Sequence, residues 1–224
     1  KSGTDVCKQS SDMILSDDNF ATIVYAIEEG RVIYLNIQKA VLYLLSCNLG
    51  EIMALFLASV LLPNVTSTLN AVQILWVNLV TDSFPALALG VDPKDRYIMD
   101  EKPRKVKESL FAHGGISFTL LNGMLIGTLT IVAFRYGLYK SEALAQTMAF
   151  MVLSISQLFH SLNLTSRTHS IFEVGIFKNR WLILTIVLGI FIQVSVVMIP
   201  AFQLILKTTA LNIVQWMQMA MLAL

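Results

Sequence analysis

Charge is what this sequence has least of. Only 14% of its 224 residues are Asp, Glu, Lys or Arg, where a water-soluble domain carries about 25%. The remainder is 55% hydrophobic, with a mean hydropathy of +0.67. By composition this is a membrane protein. The few charges nearly cancel, 16 basic against 15 acidic for a net +1, so nothing points to a polyanion, and no nucleic acid partner is expected. Cysteine is scarce too. Cys7 and Cys47 stand far apart in unlike contexts and offer neither metal-ligand spacing nor a disulfide framework. Internal repeats, low-complexity stretches and a signal peptide are all missing. The opening, "KSGTDVCKQSSDMILSDDNF", is polar and begins at Lys1 rather than Met, which leads us to expect a piece of a longer chain.

What is present is a set of long apolar runs. Crossing a bilayer takes about 20 mostly apolar residues. Six stretches come near that, at roughly 41–62, 70–90, 115–136, 143–163, 181–203 and 210–224. The last is short and runs off the end. Before them, Asp17, Asp18 or Asn19 can cap a helix over "ATIVYAIEEGRVIYLNIQKA". Ile23, Ala26, Ile27, Ile33 and Ile37 recur there at helical spacing. The fold class expected is therefore all-α, a bundle of six transmembrane helices with a stalk at its N-terminal end. Orientation follows from the basic loops. Loop 91–112 holds Lys94, Arg96, Lys102, Arg104, Lys105 and Lys107, and loop 164–180 holds Arg167, Lys178 and Arg180. The alternate loops offer only Lys140, with Arg135 at a helix edge, and Lys207. The N-terminal segment and both basic loops should face the cytoplasm.

Two acidic residues, Glu51 and Asp82, fall deep inside predicted spans. An ionised side chain at the bilayer centre costs at least about 2.5–3.5 kcal/mol, so it should face the bundle interior. Asn48 and Glu51 are three apart, and Asn78, Thr81 and Asp82 sit at i, i+3 and i+4. Helical spacing puts each set on one face. Carboxylate, amide and hydroxyl oxygens together suit a hard cation. Pro85 has no N–H, so the Thr81 carbonyl loses its helical donor and becomes a further candidate ligand. Two other readings stay open at this point: polar glue between helices, and a proton relay that can coexist with ion binding.

These residues also carry a resemblance. "SCNLGEIMALFLA" followed by "LNAVQILWVNLVTDSFPALALGVDP" resembles the fifth and sixth transmembrane helices of P-type calcium-pumping ATPases of the sarco/endoplasmic reticulum type. "SGTDVCKQSSDMILSDDNFATIVYAIEEGRVIYLNIQKAVLYLLS" looks like the end of their phosphorylation domain and the stalk. "PKDRYIMDEKPRKVKESLF" and "LNIVQWMQMAM" are similar as well, so the likeness covers essentially the whole chain. It implies residues 1–18 as the end of the cytoplasmic phosphorylation domain, 19–40 as a stalk helix and 41–224 as the cation-transporting membrane domain. It implies Asn48, Glu51, Asn78, Thr81 and Asp82 as ligands, with Asp82 bridging two sites. In the eighth helix of the two-calcium pumps a Glu completes the first site. "VLSISQLFHSLN" puts Gln157 there, which favours one high-affinity ion and leaves Glu51 free to carry counter-transported protons.

The resemblance implies calcium as the transported ion and membrane lipid as surroundings. Magnesium and ATP would be handled by other domains. No DKTGT or TGDGVNDAP segment occurs in these residues, and neither does the PEGLP helix, so this chain alone is not expected to form a phosphoenzyme. The partners implied are the remaining domains and first four helices of the same pump. Phosphorylation would tilt a lever running from about Asp18 to Leu62, with Gly50 letting a neighbouring helix approach and loop 91–112 contacting the phosphorylation domain. His160, Trp76, Trp181 and Trp216 read as packing or interfacial residues, the methionines of "WMQMAM" as packing or lipid-facing, and Pro200 as a kink. The competing functions are a manganese-transporting pump, a secondary cation/proton antiporter, which should show inverted repeats, and a purely structural membrane domain.

Overall fold

A computed structural model describes residues 3–17, 19–63, 65, 67–94, 98–100, 103, 109–112, 114–165 and 177–223. Asp18, Arg96, Lys102, Arg104, Lys105, Lys107 and Arg167 lie outside the described residues. Among those described, every regular element is helical. A short α1 (Asp5–Ser10), capped by Thr4, buries nothing. The 42-residue α2 (Phe20–Leu61) follows without a break, about 63 Å long at ~1.5 Å per residue. Of the three candidate caps it is Asn19 that accepts from Ala21 N, at 3.0 Å. Burial on α2 begins only at Asn36. The stalk half therefore stands clear of the bundle, and its apolar positions Ile27, Ile33 and Ile37 are exposed.

Next come α3 (Ala71–Trp76), a π turn (Val77–Thr81) and α4 (Ser83–Gly90). These three run as one span from Ala71 to Gly90. Asn70 and Gln73 start it with a reciprocal cap, at 2.9 and 3.1 Å. Asn212 and Gln215 make the same exchange at 3.0 and 2.7 Å, at the start of α9 (Ile213–Ala223). The two N-x-x-Q segments satisfy backbone donors that a helix start otherwise leaves without partners.

Between them lie α5 (Gly115–Leu138), α6 (Glu142–Asn163), α7 (Arg180–Met198) and α8 (Pro200–Leu206). The bundle is built around α6, with 78% of its membrane-length window buried, against 28% for α7. Among the described residues, five helices are long and apolar enough to cross a membrane. The sixth expected span appears as α9, an apolar helix of 11 residues. The fifth differs as well. Pro200 ends α7 instead of kinking it, because the residue before a proline is pushed out of the helical region. Ile199 is extended, at φ −94° and ψ 121°, and Pro200 opens α8. The chain then folds back. Thr208 Oγ1 donates to Val196 O at 3.0 Å and Gln203 Nε2 to Val197 O at 2.5 Å, capping the end of α7.

The neighbour that Gly50 admits is α5. A Cβ on Gly50 would stand 2.8 Å from Ile126 Cγ2, and one on Gly127 would stand 2.7 Å from Met53 Cβ and 3.1 Å from Ala54 N. Small residues let two membrane helices meet nearly backbone to backbone, where packing replaces the hydrophobic drive that lipid cannot supply. Gly30 is the contrast, with nothing within 4 Å of its missing Cβ. Gly127→Val should therefore destabilise the bundle by about 1–3 kcal/mol. Gly30→Ala should stabilise the stalk by roughly 0.5–1 kcal/mol. Thermal unfolding in detergent and hydrogen exchange along α2 read the two effects separately.

Candidate cation-binding site

The second half of the site is built on the irregular turn in the Ala71–Gly90 span. Asp82 N reaches back five residues to Val77 O, at 2.9 Å, before α-helical bonding resumes with Ala86 N to Asp82 O at 3.1 Å. Pro85 is the local cause, since it offers no N–H to Thr81 O. Ser83 Oγ donates to Asn78 O at 3.0 Å, serving a carbonyl that the wide turn exposes. Asn78, Thr81 and Asp82 are thus presented by a π turn and not by the straight α stripe that their spacing predicts. Single π turns of this kind occur often at functional sites. Thr81 and Asp82 are buried, and Asp82 has no exposed surface at all.

The other half comes from α2. Asn78 Nδ2 donates to Glu51 Oε2 at 2.8 Å and to Ile74 O at 3.0 Å, so one amide joins the two ligand-bearing segments. Glu51 is 5% exposed. From α6, Gln157 comes beside Glu51, and its Nε2 donates to Cys47 O at 3.4 Å. Asn48 is half-buried and turns its Nδ2 to Leu44 O of its own helix, at 2.8 Å. Glu51, Asn78, Asp82 and Gln157 therefore gather in one region, whereas Asn48 keeps to its own helix.

Two residues at this site escaped the sequence reading. Tyr43 and Cys47 of α2 lie against Asp82. Their signal was present in the spacing, because 43, 47, 50 and 54 follow the same α2 face that carries Glu51. Tyr43 also stacks on His160, with ring centroids 6.0 Å apart, and His160 stacks in turn on Phe118 at 5.6 Å. His160 is accordingly a packed residue between two aromatic rings.

The electrostatics decide what this region can do. Glu51 Oε1, Asp82 Oδ1, Asp82 Oδ2 and Gln157 Oε1 are all buried with no hydrogen-bond partner. A single buried polar atom without a partner costs on the order of 1–3 kcal/mol, more if charged. The Tyr43 hydroxyl and Cys47 thiol lie against Asp82 as donors, and buried oxygens gathered in one region beside them suit a cation. Among the described residues no group of three or more His, Cys, Asp or Glu is placed to hold a metal ion. The donors here are two carboxylates and neutral oxygens, which fit a hard cation and not a soft one.

The described part of the loop after α4 lies along the stalk. Arg31 Nη1 donates to Ile98 O at 2.8 Å, Lys94 Nζ to Glu28 Oε1 at 3.0 Å, and Gln38 Nε2 to Leu110 O. The Glu28 carboxylate holds the exposed Lys94 amine above its usual range.

Residues 66–224 match a family described as "Cation transporting ATPase, C-terminus". The chain is 49% identical to "Calcium-transporting ATPase 1" of Bacillus cereus, over 96% of this chain and 26% of that protein. It is 34% identical to "Calcium-transporting ATPase 3, endoplasmic reticulum-type" of Arabidopsis thaliana, over 96% and 24%. To the human "Calcium-transporting ATPase type 2C member 1" it is 36% identical, over 95% and 23%. The chain thus spans about a quarter of the length of the curated relatives it matches.

Because the carboxylate of Asp82 is buried without a partner, Asp82→Asn should make the cation-free protein more stable, by about 1–3 kcal/mol. The same change should erase the stabilisation that divalent cation gives the wild type. Thermal unfolding of the full-length polypeptide in detergent, with and without calcium, measures both.

Proposed function

Because this chain belongs to the cation-transporting ATPase family and corresponds to its C-terminal membrane part, we propose that it forms the membrane half of an ATP-driven calcium pump. The observation that carries this reading is the set of four partnerless buried oxygens on Glu51, Asp82 and Gln157. A dehydrated divalent cation satisfies all of them at once. Asp82 is the central ligand, with Glu51 opposite it. Asn78, Thr81 and Gln157 add neutral oxygens, and Asn48 joins by turning its amide oxygen away from its own helix. Two carboxylates balance the charge of one divalent ion, and Gln157 adds none, so one high-affinity ion per cycle is the stoichiometry we infer.

Asn78 gives the site a second state. Its Nδ2 bridges to Glu51 Oε2 at 2.8 Å when no cation lies between them. A half-turn of the amide presents Oδ1 to an arriving ion and frees Glu51 to bind it. When the ion leaves, Glu51 regains its donor, and it is the group that carries counter-transported protons. The site is thereby never held by carboxylates alone.

The drive comes from the rest of the polypeptide, which handles ATP and magnesium and carries the phosphorylated Asp. Residues 1–18 close that domain, 19–40 form the stalk, and 41–224 form the transport domain. The N-terminal segment and the basic loops face the cytoplasm, and lipid surrounds the outward faces of the helices. Continuity of α2 from Phe20 to Leu61 supports a lever role, since one uninterrupted helix links the exposed stalk to Glu51. Phosphorylation tilts that helix and separates Glu51 from Asp82. A ligand shifts two states only by its differential affinity for them, so the tilt must weaken ion binding by several kcal/mol.

Oxygen donors also suit manganese, and the test distinguishes the two ions. Phosphoenzyme formation from ATP is followed against free calcium in the full-length parent polypeptide, wild type and Asp82→Asn. Calcium-dependent phosphorylation that the substitution abolishes is the expected result, with one calcium bound per phosphoenzyme. Phosphorylation that ignores calcium but follows manganese would reassign the ion. A wild-type response in Asp82→Asn would remove the site.

A further inference from the structure

One buried ion pair in this chain lies outside the candidate site. Asp92 is 3% exposed, two residues beyond the end of α4. Pro93 follows it and forbids the helix from continuing, so the carboxylate is turned inward at a fixed place. Lys39 Nζ of α2 pairs with Oδ2. Asn179 Nδ2, from the cap of α7, donates to Oδ1 at 2.9 Å and to Ala88 O at 2.9 Å. The backbone carbonyl of Asp92 accepts from Asn36 Nδ2 at 2.8 Å. Lys39 also donates to Thr165 O, just past α6, at 3.0 Å. Four segments of the chain thus meet around one carboxylate. Exposed ion pairs hold little, but a buried carboxylate whose two oxygens each have a partner resists separation strongly.

The position of this joint gives it a role. Lys39 precedes Glu51 by twelve residues of unbroken helix, about 18 Å at ~1.5 Å per residue. Asp92 follows Asp82 by ten residues, across α4. The two helices that carry the carboxylates are therefore tied together at the same end, and α7 is tied to both through Asn179. We propose that Asp92 is a positioning residue for the cation site. By clamping α2 to the end of α4 it sets the separation of Glu51 and Asp82, and through it a tilt of the stalk reaches both halves of the site together. This rests on the reading of Glu51 and Asp82 as cation ligands.

The test uses the full-length pump. Calcium dependence of phosphoenzyme formation from ATP is measured for Asp92→Ala, Asp92→Asn, Lys39→Gln and the double variant Lys39→Gln/Asp92→Asn. Phosphorylation by inorganic phosphate without calcium is measured beside it, since that reaction needs a folded protein but no bound ion. The expected result is a half-saturating calcium concentration raised at least about tenfold in each single variant. The double variant should be no worse than the weaker single, and the phosphate reaction should stay within about twofold of wild type. If Asp92→Ala does not fold, the isosteric Asp92→Asn decides. Half-saturation within twofold of wild type in the Asp92 and Lys39 variants overturns the proposal. So do losses that multiply in the double variant, or a phosphate reaction that falls in step with the calcium response. Asp82→Asn serves as the reference. If it behaves like wild type, the cation site itself is wrong; if it loses the calcium response while the Asp92 variants keep theirs, only the clamp is.

Discussion

The carboxylate of Asp82, buried to zero exposure with neither oxygen bonded, is the constraint around which this structure is arranged. A carboxylate in that state is tolerated only where surrounding groups can offset it. The π turn is part of that arrangement. By inserting a wide turn ahead of Asp82 and denying Thr81 O a helical donor, the Val77–Pro85 stretch converts backbone regularity into a concentration of oxygens. The gap is closed from α2 by Glu51, whose 2.8 Å bond from Asn78 of the π turn joins the two segments. A third wall comes from Gln157 on α6, the most buried of the long helices.

Such a site is useful only if its walls keep their places. Glycines do this work on one side, letting α2 and α5 meet closely where Gly50 takes the Ile126 side chain and Gly127 takes Met53. Stacked rings do it on the other, where Tyr43, His160 and Phe118 tie α2, α6 and α5. The same helix that offers Glu51 to the interior runs on as a stalk with its apolar face uncovered. One helix thus belongs to two environments. This geometry suits the transmission of a displacement, and the contacts of Arg31, Gln38 and Lys39 with the segments after α4 and α6 bring neighbouring elements along with it.

Much of this was legible in the residues. Apolar run lengths found five of the six expected spans among the described residues, and 3.6-residue spacing found the polar faces. Asn19, Asn70 and Asn179 are helix caps of the ordinary kind. Three features were not legible. A proline can kink a helix or end it, and at Pro200 the choice fell to Thr208 and Gln203, which cap α7 from the segment after the break. The π turn hides in a sequence that also reads as plain helix. Tyr43 and Cys47 share the inward face of α2 by their spacing, but only the packed helices show that Asp82 is what they meet.

The sequence by itself determined what must be buried and in which kind of element. Hydrophobicity and helical period are local properties of a chain, and they suffice to say that Glu51 and Asp82 face inward on two different helices. Which atoms meet there was decided by tertiary structure alone. The Asn78 amide between two helices, the Gln157 amide nitrogen from a third and the Asp92 carboxylate held by Lys39 and Asn179 join residues from 27 to 110 positions apart. The reason is that a contact between distant positions depends on how whole helices cross. That crossing is fixed by the summed fit of glycines, rings and small side chains along their length, which no single window of sequence contains.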